Sequence, residues 1–191
     1  EMQEKRDLKN DCGKAYFEKL LSKCTHVMKL IRELPQPVIA EVHGVAAAAG
    51  CQLVATCDIA IASEEASFGV NGVDIGLFCS TPMVALSRNI NRKKAFEMLT
   101  TGDFLDPFQA EKLGLINKVA NSKDLSETTL EIAKKISSKL SLAVKIGKKA
   151  FYKQAEMEID EAYSYASGVI VENLLYKETS QGMDDFLNKK N

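Results

Sequence analysis

The stretch Val38-Ile39-Ala40-Glu41-Val42-His43-Gly44-Val45-Ala46-Ala47-Ala48-Ala49-Gly50-Cys51-Gln52 decides how this chain folds. Val38 to Val42 is a short apolar run of strand length. The tiny residues after it let backbone approach a ligand more closely than larger side chains allow. From His43 the run reads as a turn that opens a helix over Ala49 to Cys57. The first N–H groups of a helix have no intrahelical partner and sit at the positive end of its dipole, so such a mouth suits an oxyanion or a carbonyl becoming one. The same small residues also suit tight packing of a buried helix on a strand, since alanine is the best helix former.

Working outward, Ile59-Ala60-Ile61-Ala62 is a second apolar run, and with the intervening helix it makes a strand-helix-strand unit that implies parallel pairing. Upstream, Tyr16, Leu20, Cys24, Val27, Met28 and Ile31 recur at three and four. That spacing predicts an amphipathic helix over Asp11 to Leu34, closed by Pro35 and Pro37. Downstream, Ala66 to Gly69 reads as a short strand, and Gly69, Gly72 and Gly76 punctuate a segment that turns repeatedly. Ser80-Thr81-Pro82 reads as a cap with proline in the first turn of a helix through Arg88. Further helices are expected near Arg92–Thr100, Pro107–Leu113, Leu125–Ser138 and Leu142–Gln154, with one more strand at Leu115–Val119. From Leu125 on the chain reads as almost all helix, and Ile159 to Lys177 carries apolar residues on more than one face, which suits a subunit interface. There is no repeat, linker or low-complexity tract, so a single domain over residues 1–191 is expected, with a sheet-and-helix core in 1–120 and a helical assembly region in 121–191.

A chain of 191 residues is long enough to bury roughly 70% of its unfolded surface. Its 25 basic and 26 acidic side chains nearly cancel, which argues against nucleic acid and anionic membrane as partners. No apolar run approaches the ~20 residues of a membrane span. Five cysteines (Cys12, Cys24, Cys51, Cys57, Cys79) without metal-ligand spacing read as reduced thiols. With only His26 and His43, there is little material for a zinc site or a serine–histidine triad. No metal is expected.

The segment LPQPVIAEVHGVAAAAGCQLVATCDIAIASEEASFGVNGVDIGLFCSTP (34–82) resembles the signature of the crotonase, or enoyl-CoA hydratase/isomerase, superfamily. The resemblance continues through KAFEMLTTGDFLDPFQAEKLGLINKVA (94–120) and reaches YKETSQGMDDFLNKK (176–190). It implies an α/β fold of the ClpP/crotonase type, a parallel sheet built from ββα-type units with a C-terminal helical region that packs around a trimer, often doubled to a hexamer. It implies an acyl-CoA thioester as substrate, in fatty-acid or acyl-CoA metabolism, with coenzyme A part of that substrate and no separate cofactor. The mitochondrial matrix is the implied compartment, with peroxisome or cytosol as alternatives. By the same resemblance the chain begins late: several strands, and the loop that carries the other oxyanion-hole N–H, would precede Glu1, as in a fragment of a longer polypeptide.

Carried over residue by residue, the Ala49 N–H stands at the family's second oxyanion donor, with Gly50 behind it. The family's two hydratase glutamates fall on Gln52 and Gly72. Glutamine can orient water but cannot shuttle a proton near neutral pH, and glycine has no side chain. Each positioned acid or base is worth about 10² to 10⁴ in rate, so hydration should be weak or absent. Restoring both as Gln52→Glu with Gly72→Glu should raise hydration if the geometry is otherwise kept. The carboxylate of the family's isomerase-type members falls on Ser80, so that position is vacant too. Asp74 would share a side with Gly72 if the segment is extended, as a lone base or as a solvated loop carboxylate. Cys79, near a helix start, reads as a nucleophile or as a packed thiol. His43 reads as a structural histidine or a base. At the C-terminus the resemblance places Phe186 as an apolar wall and Lys189 as a phosphate partner for the substrate of a neighbouring subunit. Two functions are therefore expected to compete: a lyase or isomerase of weak, non-hydratase chemistry, and a non-catalytic acyl-CoA binder or regulatory subunit.

Overall fold

The computed structural model describes residues 11–188. The first helix, α1 (Lys14–Glu33), leads through the proline pair to β1 (Ile39–Val42), β2 (Val45–Ala47) and α2 (Ala49–Thr56). The pattern repeats with β3 (Ile59–Ser63), β4 (Ser67–Gly69), a 3₁₀ turn over Asn71–Ile75 and α3 (Ser80–Asn89). Then come α4 (Arg92–Thr101), α5 (Pro107–Lys112), β5 (Lys118–Ala120), a 3₁₀ turn over Ser122–Asp124 and α6 (Leu125–Ser137). The remaining elements are α7 (Ser141–Gln154), α8 (Ile159–Leu174) and α9 (Lys177–Asn188). Beyond Ala120 the described residues hold helices and no strand.

All strand pairing within the sheets is parallel. β3 lies between β1 and β5, in register Ile39 to Ile59 and Ile61 to Lys118. A second sheet pairs β2 with β4, Val45 opposite Ser67. The chain thus twice runs strand, strand, helix, which is the expected ββα unit. An antiparallel bridge from Phe68 to Leu105 ties the α4–α5 connection to β4.

Alternation along β3 sorts its side chains onto two covered faces. Ala60 and Ala62 enter the main core with Val54, Phe68, Leu86, Met98 and Leu99, where their small size lets helices sit close. Ile59 and Ile61 face the other way, against Leu125 and Ile132 of α6. Fully buried Phe68, Ile61 and Leu86 anchor the layers.

Several expected elements are corrected. Val45–Ala47 is a strand and not part of the turn, because its backbone pairs with β4. The last strand begins at Lys118 and not at Leu115, because Leu115 and Ile116 turn into the main core after Gly114, which adopts φ 79°. The Ser80 hydroxyl does not cap α3: it donates to the Phe78 carbonyl at 3.3 Å, and Cys79 occupies the cap position. The helix expected over Ile159 to Lys177 is α8, which ends at Leu174, and Lys177 instead begins α9.

Candidate functional site

The mouth of α2 is set by its hydrogen bonds. The Ala48 N–H donates to the Gly69 carbonyl at 2.8 Å, which ties the helix entry to β4. The Gln52 N–H closes the first helical turn on the Ala48 carbonyl at 3.0 Å. Ala49, at the first helical position, is exposed, and no acceptor among the described residues takes its N–H. A Cβ added at Gly50 would meet nothing within 4 Å, so the space on the side-chain side of Gly50 is open.

This opening depends on a strained residue. Ala48 adopts φ 48°, ψ −111°, a region that only glycine enters without steric cost. Such conformations cost about 1–3 kcal/mol and persist where the surroundings over-determine them. Here the Gly69 bond on one side and the helix on the other hold Ala48 in place.

Gln52 lies one turn along the same helix, 6% exposed, and its Oε1 has no hydrogen-bond partner among the described residues. Gly72 is buried in the 3₁₀ turn, and a Cβ there would stand 2.2 Å from the Leu77 carbonyl oxygen and 2.9 Å from the Cys79 sulfur. Its place is filled by backbone, which overturns the expectation that a glutamate could simply be restored at this position. Asp74 also departs from the expected geometry. The segment is a 3₁₀ turn and not extended, so residues two apart do not share a side. Asp74 is exposed and turned to Gly102 at the end of α4, where its Oδ1 would lie 2.8 Å from an added Cβ.

The remaining candidates sort by burial. Cys79 is 6% exposed and packed beside Gly72. Burial pushes the Cys51 thiol up to about 12, with the nearby Cys79 adding to the rise, so Cys51 is a protonated core residue at neutral pH. His43 is at the surface, its Nε2 3.2 Å from Glu41 Oε1, which also accepts from the Ser126 hydroxyl at 2.7 Å. Phe186 lies on α9, exposed, beside a cleft shared with Leu140, Met183 and Leu187, away from α2. Lys189 lies outside the described residues. Among the described residues no cluster of three or more histidine, cysteine, aspartate or glutamate side chains could hold a metal, and no helix is long and apolar enough to cross a membrane.

One buried network escapes sequence reasoning. Lys148 of α7 donates to the Ile31 carbonyl at 2.8 Å, the Gln36 carbonyl at 2.9 Å and Asp58 Oδ2 at 2.7 Å, which satisfies all three ammonium protons. Asp58 also accepts from the Val38 N–H at 2.6 Å and the Tyr152 hydroxyl at 2.7 Å. Burial and the Asp58 carboxylate both raise the Tyr152 pKa above the usual phenol range. The network pins α1, β1 and α7 at the entering end of β1. Asp58 at the head of a strand was the only available signal, since Lys148 cannot be told from Lys145 or Lys149 by type or spacing.

The twice-repeated ββα unit, with a helix mouth open beside a tiny-residue turn, defines a crotonase-type α/β protein. The chain belongs to the enoyl-CoA hydratase/isomerase family, whose model matches residues 6–191. It is 45% identical over 185 residues to enoyl-CoA hydratase domain-containing protein 3, mitochondrial, of Rattus norvegicus, covering 97% of this chain and 62% of that protein. The chain therefore spans less than two thirds of that relative's length. It is 34% identical over 167 residues to the short-chain-enoyl-CoA hydratase of Clostridium acetobutylicum, covering 86% of this chain and 63% of that protein. Among solved structures, human enoyl coenzyme A hydratase domain-containing protein 3 superposes with a TM-score of 0.92 at 45% identity, over 96% of this chain and 73% of that one. An enoyl-CoA hydratase of Mycobacterium smegmatis gives 0.90 at 49% identity, over 92% and 68%.

Proposed function

We propose that this chain binds an acyl-CoA thioester with its carbonyl at the Ala49 N–H, and that it polarises the carbonyl without the acid–base pair that hydration needs. The observation that carries this reading is the pairing of exposed Ala49 at the mouth of α2, whose N–H has no partner among the described residues, with a sealed position at Gly72. A backbone donor aimed at a developing oxyanion is worth about 10² to 10³ in rate. Without two proton-handling side chains that polarisation suits less demanding steps, such as isomerisation, decarboxylation or thioester hydrolysis.

The second reading is a non-catalytic acyl-CoA binder or regulatory subunit. The backbone filling at Gly72 favours it, because residue 72 has no room to carry a proton-handling side chain of its own. The exposed apolar residues of α8, among them Tyr163, Ile170 and Leu174, support assembly into a trimer or hexamer. The names of the mammalian relatives support a mitochondrial location.

Calorimetric binding of crotonyl-CoA to the intact protein, followed by turnover across a thioester panel, tests both readings. Binding with turnover of a non-hydration reaction supports the first, and binding without turnover supports the second. Hydration at the rate of a two-glutamate relative, or no binding, refutes both.

A further inference from the structure

At the entering end of β1, opposite the end that leads to Ala49, the C-terminal turn of α1 and the outer face of α7 enclose an open cleft of about 630 Å³. Its charged lining is Lys29, Arg32, Lys145, Lys149 and Lys153 against Glu33 and Glu156, an excess of cations in a chain whose net charge is −1. Lys145, Lys149 and Lys153 recur every fourth residue on α7, so they stack on one face, where like charges repel. Lys148 is turned inward to Asp58, so the helix separates one anchored lysine from an outer stripe of three.

Two carboxylates, Glu33 and Glu156, face the cations of this cleft, and Lys153 is turned to the Tyr165 ring, 4.6 Å from its centroid. Glu156 is taken by Arg32 at 3.1 Å, and Lys29, Lys145 and Lys149 have no ion-pair partner among the described residues. Arg32 is also held in place: its guanidinium lies 4.6 Å over the Tyr152 ring, and the Tyr152 hydroxyl is fixed by Asp58 at 2.7 Å. A planar fork of donors stacked on a ring is a preorganised phosphate contact. The volume lies within the range of small-molecule sites, and Leu34 and Pro35 supply an apolar wall.

We propose that this cleft binds a small phosphate-bearing anion. Lys29, Lys145 and Lys149 neutralise it, and Arg32 offers it the N–H donors that Glu156 leaves unused. The site is separate from the mouth of α2 and does not depend on thioester binding there.

Inorganic diphosphate, which carries no acyl or thioester group, is the probe. It is titrated calorimetrically into the intact protein at low ionic strength. The comparison is between Lys145→Ala with Lys149→Ala and a control, Lys134→Ala with Lys135→Ala, which removes the same charge from exposed positions on α6. All four side chains are exposed, so the fold tolerates either pair, and matching circular dichroism verifies it. The expected result is saturable binding at one site, weakened about tenfold or more by the α7 pair, unchanged by the α6 pair and weakened by added salt. Equal weakening by both pairs, binding of several ions, or no saturable heat at millimolar diphosphate overturns the proposal.

Discussion

Replacing Gly72 by alanine is expected to destabilise the protein by about 1–3 kcal/mol, the cost of inserting a methyl group where a well-packed interior has no room. The added Cβ would stand 2.2 Å from the Leu77 carbonyl oxygen, so that carbonyl must retreat by most of an ångström. It cannot do so cheaply. The Leu77 N–H is bonded to the Gly72 carbonyl at 2.9 Å, Gly76 between them turns the chain at φ 75°, and the Cys79 sulfur closes the other side at 2.9 Å. A glutamate adds its longer side chain to the same collision. Gln52→Glu with Gly72→Glu should therefore lower the urea midpoint and leave crotonyl-CoA hydration no faster than Gln52→Glu alone. Gln52→Glu by itself supplies at most one acid, in a buried site that favours its protonated form. The assays are urea unfolding followed by circular dichroism, and hydration followed by loss of enoyl absorbance. A Gly72→Ala protein as stable as the parent, or a double variant hydrating about 10²-fold faster than Gln52→Glu alone, would refute the argument that backbone fills this position.

Ala48→Gly should stabilise the protein by up to about 2 kcal/mol, since relief of an unfavourable φ exceeds the entropy cost of glycine. A lower urea midpoint for this variant would contradict the strain. Lys148→Met should cost about 3–5 kcal/mol by leaving Asp58 and two carbonyls without their cation, whereas Lys148→Met with Asp58→Asn, which removes the unpaired charge and keeps an acceptor for the Val38 N–H, should cost less. Equal losses in the single and double variants would show that the pair is not the source. Stability should also fall on the alkaline side. Burial raises the Cys57 thiol to about 11 and Cys51 to about 12, from an ordinary 9.0, and Tyr152 is raised as well. Groups raised on folding contribute stability that is complete below their unfolded pKa, so the urea midpoint should hold near neutrality and drop as pH passes from about 9 to about 11. A midpoint that stays level or rises across that window would refute it.

Much of the fold was legible in residue order. The apolar runs at Val38 and Ile59, the helix between them and the periodicity of α1 are local signals, because strand and helix each bury a repeating face of their own chain. Element ends were less legible. Val45–Ala47 is made a strand by a partner more than twenty residues away, and the strand expected at Leu115 starts later because two of its residues are claimed by the core.

For the site, sequence by itself determined which groups are available. Tiny residues precede a helix, and positions 52 and 72 hold an amide and a glycine, neither of which can shuttle a proton near neutral pH. Residue types are covalent facts, and they limit the proton chemistry whatever the fold. Only the tertiary structure decided that Ala49 is exposed, that the Leu77 carbonyl occupies the space beside Gly72, that Asp74 points to Gly102, and that Lys148 is buried while its neighbours line an open cleft. Each of these depends on atoms from segments distant along the chain or on a local turn type, and identical residue types receive opposite environments once the helix that carries them is docked.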